Sequence, residues 1–230
     1  MAIEWTYKYR PTSFDEMALY PLLRKRLNSY AKTGDFSHLL FVGDTGVGKT
    51  TAARILAGLC GDSTMEFDCT KNNGKADMEK VARGTTSVVM FGTRRLIILD
   101  EFHKCREDAQ VVFNKTMEDD GNRNTFIFCV NRVEENAVAA PIVSRCTTLR
   151  FDAGIINPKS EKLQLFKHTG ITKAEWIKEL KRVGELVAKK GGKTPTEEQL
   201  DIVASNDVYI VDTRRYIREL EEQIKMDELD

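Results

Sequence analysis

Between Gly43 and Thr50 the chain reads GDTGVGKT, which satisfies the spacing G-x-x-x-x-G-K-[ST]. It follows the apolar run HLLFV and precedes the helix-forming stretch TAARILAGL. A backbone that wraps a triphosphate with its N–H groups pointing inward needs glycine, because a Cβ would clash with the phosphates or forbid the turn. Gly43, Asp44, Thr45, Gly46, Val47 and Gly48 are therefore expected to form the cradle. Lys49 would bring positive charge to the β- and γ-phosphates, and Thr50 a hydroxyl to Mg²⁺. The helix that starts here, with Thr51 in its first turn, aims the positive end of its dipole at the same anion.

A phosphate cradle needs a metal partner. The run RLIILDE offers one at the end of a buried strand, with Asp100 for the Mg²⁺ shell and Glu101 for the attacking water. An acid directly after the metal aspartate can act as a general base, which hydrolysis requires and nucleotide storage does not. A lone Asp-Glu pair would read only as solvated carboxylates. Downstream, TFIFCVN ends at Asn131, whose amide can hold the water or sense the γ-phosphate; alone it would pass as a turn residue.

These groups must be placed by a sheet. From Leu39 to Phe151 short apolar runs (HLLFVG, MEFDC, RLIILD, TFIFCV, TTLRF) alternate with helical stretches, the pattern of an α/β fold with a parallel sheet flanked by helices. After Phe151 the strand signals stop and helices are expected. ITKAEWIKELKRVGELVAKK opens with Thr172 and Glu175 at capping-box spacing and puts Trp176, Leu180, Val183 and Val187 on one face. TPTEEQLDIVA suggests Thr194 as cap, Pro195 in the first helical position and Glu197 reaching back. Asp212 would cap a last helix, DTRRYIRELEEQIKM. The expected division is an α/β domain over 1–152 and a small helical domain over 153–230.

Composition fits a globular protein: of 230 residues 41% are hydrophobic and 30% charged, with zero formal net charge. No run approaches the roughly eighteen apolar residues of a membrane span, so a soluble protein with no membrane partner is expected. The start, MAIEWTYKYRP, lacks the apolar core of a secretory signal. Five cysteines with no CxxC pair support neither a zinc site nor a disulfide framework and suit a reducing, cytoplasmic setting. Charge is uneven: between Lys159 and Lys193 ten Lys or Arg face four Glu, whereas ELEEQIKMDELD is acidic. Such asymmetry marks either a nucleic-acid or partner surface or helix faces that merely differ.

KYRP, GDTGVGKT, LIILDE, a strand ending in Asn and then SRC occur in this order, and at about these spacings, in AAA+ ATPases of the clamp-loader group, which the chain resembles over roughly residues 5–151. The group includes replication factor C small subunits and the main ATPase subunit of T-even-like phage clamp loaders. The resemblance implies ATP and Mg²⁺ as cofactors and an ATPase whose sites lie between subunits. Arg145 of SRC is then a finger serving the neighbour's nucleotide; without the family it is a surface arginine beside the small thiol of Cys146. Tyr9, Arg10 and Pro11, followed by Leu19 and Tyr20, match the box that folds against adenine. The helical part resembles the family's lid, with Asp212 and Arg214 aligned to its sensor motif and Arg215 an alternative by one residue. Lys75, Lys80 and Arg83 lie where the family places DNA-facing residues, with Lys104 and Arg106 as weaker candidates; each also reads as a solvated charge.

The implied function is assembly with other AAA+ subunits, a pentamer favoured, gripping primer-template DNA and loading a sliding clamp. Two departures stand out. The family usually continues into a helical collar after the lid, whereas this sequence stops at Asp230; no collar domain is expected within it, and a collar-bearing partner is one way to supply it. INPKSEKLQLFKHTGI looks like an insertion suited to docking a partner. The alternatives are a helicase loader or other replication remodeller, and an ATP-binding structural subunit without hydrolysis; intact Lys49, Asp100, Glu101 and Arg145 argue against the second. A small-molecule kinase or GTPase lacks support, since no NKxD is present. Compactness and likeness to the phage subunit point to phage origin.

Overall fold

The computed structural model describes residues 4–61, 63–71, 73–86, 94–119, 124–156 and 163–227. The elements run α1 (Trp5–Lys8), α2 (Pro21–Thr33), β1 (His38–Val42), α3 (Lys49–Cys60), β2 (Ser63–Asp68), α4 (Lys75–Thr86), β3 (Arg95–Asp100), α5 (Glu107–Asp119), β4 (Asn124–Val130), α6 (Ala140–Arg145) and β5 (Cys146–Arg150). They continue with β6 (Gly154–Ile156), β7 (Leu163–Leu165), α7 (Lys173–Lys190), α8 (Glu197–Ser205), α9 (Asp207–Ile210) and α10 (Thr213–Asp227). The chain forms two compact units that interleave in sequence. One holds Leu27–Asp44 and Ala52–Arg150; the other holds the N-terminal segment through Arg26, Thr45–Thr51 and everything from Phe151 onward.

The first unit is the α/β layer. Its five strands lie in the order β2-β3-β4-β1-β5, every neighbouring pair parallel, and they are the five apolar runs seen in the sequence. Burial follows position in the sheet. The central strand β4 is buried throughout and β3 nearly so, as continuous Ile, Leu and Phe runs covered on both faces require. Edge strand β2 alternates half-buried with exposed residues. Against one face pack Phe102, Phe113, Phe126 and Phe128, with the Phe102 and Phe128 rings 4.6 Å apart and the Phe102–Phe113 pair edge to face at 5.7 Å. The central order β3-β4-β1 brings three carboxyl-end loops to one edge, those after Asp100, Val130 and Val42, the usual place for a ligand in such sheets.

In the second unit, α1, α7, α8 and α10 close around Trp5, Trp176, Leu180, Tyr216 and Leu220. Gly184 of α7 permits close approach of α10, because a Cβ there would stand 2.9 Å from a Leu220 methyl. The buried Glu221 carboxylate accepts the Trp5 backbone N–H at 2.9 Å, and the Trp176 indole donates to the Ile210 carbonyl at 3.0 Å.

The Thr172–Glu175 capping box is present as expected. The α8 cap lies two residues later than expected: Thr196 pairs reciprocally with Gln199. The stretch TPTEEQ contains two overlapping boxes, and the helix takes the second, leaving Pro195 outside. Strands also do not stop at Phe151, since β6 and β7 form an antiparallel hairpin, Gly154 opposite Leu165. Three-residue strands are too short to show alternation. Part of the stretch read as an insertion, 157–162, lies outside the described residues.

Candidate active site

In the α/β unit the acid pair sits at the end of β3. Asp100 closes the strand, and its Oδ1 accepts the backbone N–H of Glu101 at 3.1 Å. Glu101 has φ 53° and ψ 37°, the left-handed region, and is the one non-glycine residue with positive φ among the described residues. That conformation costs an L-residue about 1–2 kcal/mol, and such strain concentrates at functional sites. One strand over, Asn131 follows β4, and its side-chain oxygen accepts the Val133 N–H at 3.3 Å, capping the 3₁₀ turn Arg132–Ala137. Gly43 is tied to the same edge: its N–H donates to the Val130 carbonyl at 3.3 Å, and its carbonyl accepts from the Arg132 N–H at 3.2 Å. Arg132 also pairs with Asp44 at 2.9 Å.

His103, which the sequence reading missed, links these parts. It is buried in the 3₁₀ turn Phe102–Lys104. Its Nδ1 accepts the Asn131 backbone N–H at 3.2 Å, and its Nε2 stands 3.4 Å from Glu101 Oε2. Its place two residues after Glu101 was the available signal, but nothing local announces a bond to Asn131.

The second unit holds a cavity of about 90 Å³, room for several waters. Tyr9, Arg10 and Pro11 line it together with Gly46, Val47, Gly48 and Thr51 of the phosphate loop and Arg214 of α10. Trp5, Met17, Val183 and Val187 complete its apolar wall; the last two were read only as core-facing. Gly46 and Gly48 have φ of 85° and 95°. A Cβ at Gly48 would come within 2.7 Å of the Met17 methyl, and one at Gly46 would run into the Asp212 carboxylate. Glycine is therefore required at these two positions of the loop. Arg214 reaches the cavity and Arg215 is not among its lining residues; the Arg215 backbone N–H donates to Asp212 Oδ1 at 3.0 Å, Asp212 capping α10 as expected. Leu19 and Tyr20 are buried and do not line the cavity. Lys49 is buried at the start of α3, which Thr50 continues.

Mg²⁺ favours hard oxygen donors, and the Asp100 carboxylate of one unit and the Thr50 hydroxyl of the other are each of that kind. Among the described residues no cluster of three or more His, Cys, Asp or Glu competes for a metal.

Arg145 ends α6. Its Nη1 donates to the Pro141 carbonyl at 2.8 Å, and its Nη2 pairs with the Glu118 carboxylate. Burial pushes the neighbouring Cys146 thiol up to about 12, which disfavours the thiolate at neutral pH. Lys75, Lys80 and Arg83 lie exposed along α4, Arg83 within 3.8 Å of Glu79. Lys104 and Arg106 are exposed after the acid pair. Among the described residues no helix is long and apolar enough to cross a membrane.

Residues 39–152 match the family described as ATPase family associated with various cellular activities (AAA). The replication factor C small subunit of Methanoculleus marisnigri is 37% identical over 156 residues, 64% of this chain and 47% of that protein. Small subunit 1 from Pyrobaculum islandicum is 36% identical over 156 residues, 64% of this chain and 46% of its own length. The chain thus spans about half the length of these relatives. Among solved structures, Thermotoga maritima RuvB, a Holliday junction branch migration motor, aligns with a TM-score of 0.70 at 18% identity, over 96% of this chain and 66% of that one. At that identity the match speaks for the fold.

Proposed function

Because residues 39–152 match the AAA family of ATPases and the chain is clamp-loader-like in sequence, we propose that it binds ATP with Mg²⁺, hydrolyses it, and works as a subunit of a clamp-loader-type assembly. The observation that carries this reading is the shared sheet edge of Asp100, Glu101, Asn131 and Gly43. A hydrolytic site needs a metal-binding acid, a base and a phosphate cradle at one place, and adjacent parallel strands supply such an edge.

In this reading residues 1–152 form the ATPase domain and 153–230 the lid. Gly43–Gly48 cradle the phosphates, and Lys49 offsets the charge of the β- and γ-phosphates. Thr50 and Asp100 would hold Mg²⁺, which would withdraw charge from the phosphate oxygens. Tyr9, Arg10, Pro11 and Thr51 contact the nucleotide, with Leu19 and Tyr20 supporting that segment from the core. Glu101 takes a proton from the attacking water, which Asn131 orients. Arg214 couples the lid to the phosphates. Arg145 crosses to the neighbouring subunit's nucleotide, where such a finger is typically worth about 10³–10⁵ in rate.

Assembly driven by ATP would create a surface for primer-template DNA and a sliding clamp, with Lys75, Lys80 and Arg83 meeting DNA phosphates in a sequence-independent, salt-sensitive way. Hydrolysis would then release both.

The test is the solution mass of the full chain with ADP and beryllium fluoride, with and without primer-template DNA. A pentamer stabilised by primed DNA is expected. A hexamer or filament indifferent to primed ends would replace the clamp-loader reading with that of another remodeller.

A further inference from the structure

We propose that His103 is a positioning residue that aims the Glu101 carboxylate and couples it to the end of β4, an inference that rests on reading Glu101 as the base. The imidazole side chain is 2% exposed, so both ring nitrogens need partners. Nδ1 accepts the Asn131 backbone N–H at 3.2 Å, which places the ring proton of the neutral form on Nε2. Nε2 lies 3.4 Å from Glu101 Oε2, which puts the carboxylate within reach of the ring N–H. The distance is long for a hydrogen bond, and contacts of this kind commonly tighten when substrate binds.

The backbone makes such a device necessary. Glu101 leaves the strand in the left-handed region, beyond the regular sheet that would otherwise set its direction. Its side chain is 34% exposed, which keeps a carboxylate oxygen accessible to water but leaves the rotamer unguided by packing. His103 supplies the guide from a buried ring, and through Asn131 it gives the ends of β3 and β4 a common reference. In hydrolysis the water oxygen bonds to the γ-phosphorus, the bond to the β,γ-bridging oxygen breaks with its electron pair leaving on ADP, and the water proton passes to Glu101. His103 exchanges no proton; it holds the acceptor in line.

Two amides separate the two bonds. In His103→Asn the side-chain oxygen stands near the position of Nδ1 and keeps the acceptor for Asn131. In His103→Gln the terminal amide reaches the position of Nε2 and keeps the donor for Glu101. Hydrolysis by the full chain with primer-template DNA, alongside ATP affinity and Tm, should leave His103→Gln close to wild type. His103→Asn should lose about ten- to hundredfold in kcat with KM unchanged. Wild-type kcat in His103→Asn would overturn the proposal, and so would equal losses in affinity, Tm and kcat for both variants, which mark a purely structural histidine. Nitrogen-15 NMR of the imidazole gives a readout independent of turnover: the Nε2–H tautomer is expected, and the Nδ1–H tautomer would refute the geometry. Glu101→Gln keeps the two failures apart. If it hydrolyses ATP normally, the base reading falls and takes this proposal with it; if it is inactive while His103→Asn is normal, only His103 loses its role.

Discussion

Glu101 combines two properties that seldom serve stability, a left-handed backbone and a carboxylate aimed out of a buried strand end. Glycine would relieve the backbone, offset in part by its greater freedom in the unfolded chain, for a net gain of about 0.5–1 kcal/mol over alanine. Glu101→Gly should therefore melt above Glu101→Ala, while both lose about 10²–10⁴ in hydrolysis. Thermal unfolding of the pair is the check, and a glycine variant that melts below the alanine one would show that the site holds no strain. The acid pair was legible because its residues are adjacent in the chain and end an unbroken apolar run. His103 was not, because its partner Asn131 lies beyond the end of another strand.

Several of the longer elements show plainly in the sequence, although the thirteen-residue α2 does not. β1, β3 and β4 carry five to seven residues each, enough for continuous burial to show in residue type, and α7 repeats its apolar face over several turns. The hairpin β6–β7 was missed because three residues cannot display a period, and the α8 cap was displaced because two equivalent boxes compete. His38, at the start of β1, shows what packing adds to such an element. Burial lowers its pKa below the ordinary 6.5, the donor contact to the Met117 carbonyl opposes that shift, and nearby Arg94 reinforces it. The ring stays neutral, with Nδ1 accepting the Phe126 N–H at 3.2 Å. Since the unfolded chain takes up a proton near 6.5 and the folded one only at lower pH, the unfolded state binds more protons in that window and stability falls as pH drops through it. His38→Asn, which retains an acceptor for Phe126, should show a shallower loss of stability below pH 6.5. Denaturant titrations at several pH values measure the difference, and identical slopes would assign the acid sensitivity to other groups.

For the whole molecule the decisive residue is Arg145, which within the chain is held by Glu118 and the Pro141 carbonyl. If it serves a neighbouring subunit, Arg145→Ala should keep ATP affinity and lose hydrolysis. Mixing it with Lys49→Ala, defective in its own site but carrying an intact finger, should recover part of the lost rate. Failure of the mixture to exceed the sum of its parts would place the arginine's role within its own chain.

Contiguous residues determined the α/β class, the glycine-rich loop and the acid pair, because glycine spacing, apolar runs and neighbouring carboxylates act through local backbone geometry. Tertiary structure decided which of Arg214 and Arg215 reaches the cavity, which glycines have no room for a Cβ, and that His103 joins Glu101 to Asn131. Each of those outcomes depends on the meeting of side chains far apart along the chain, and only packing brings them within bonding distance.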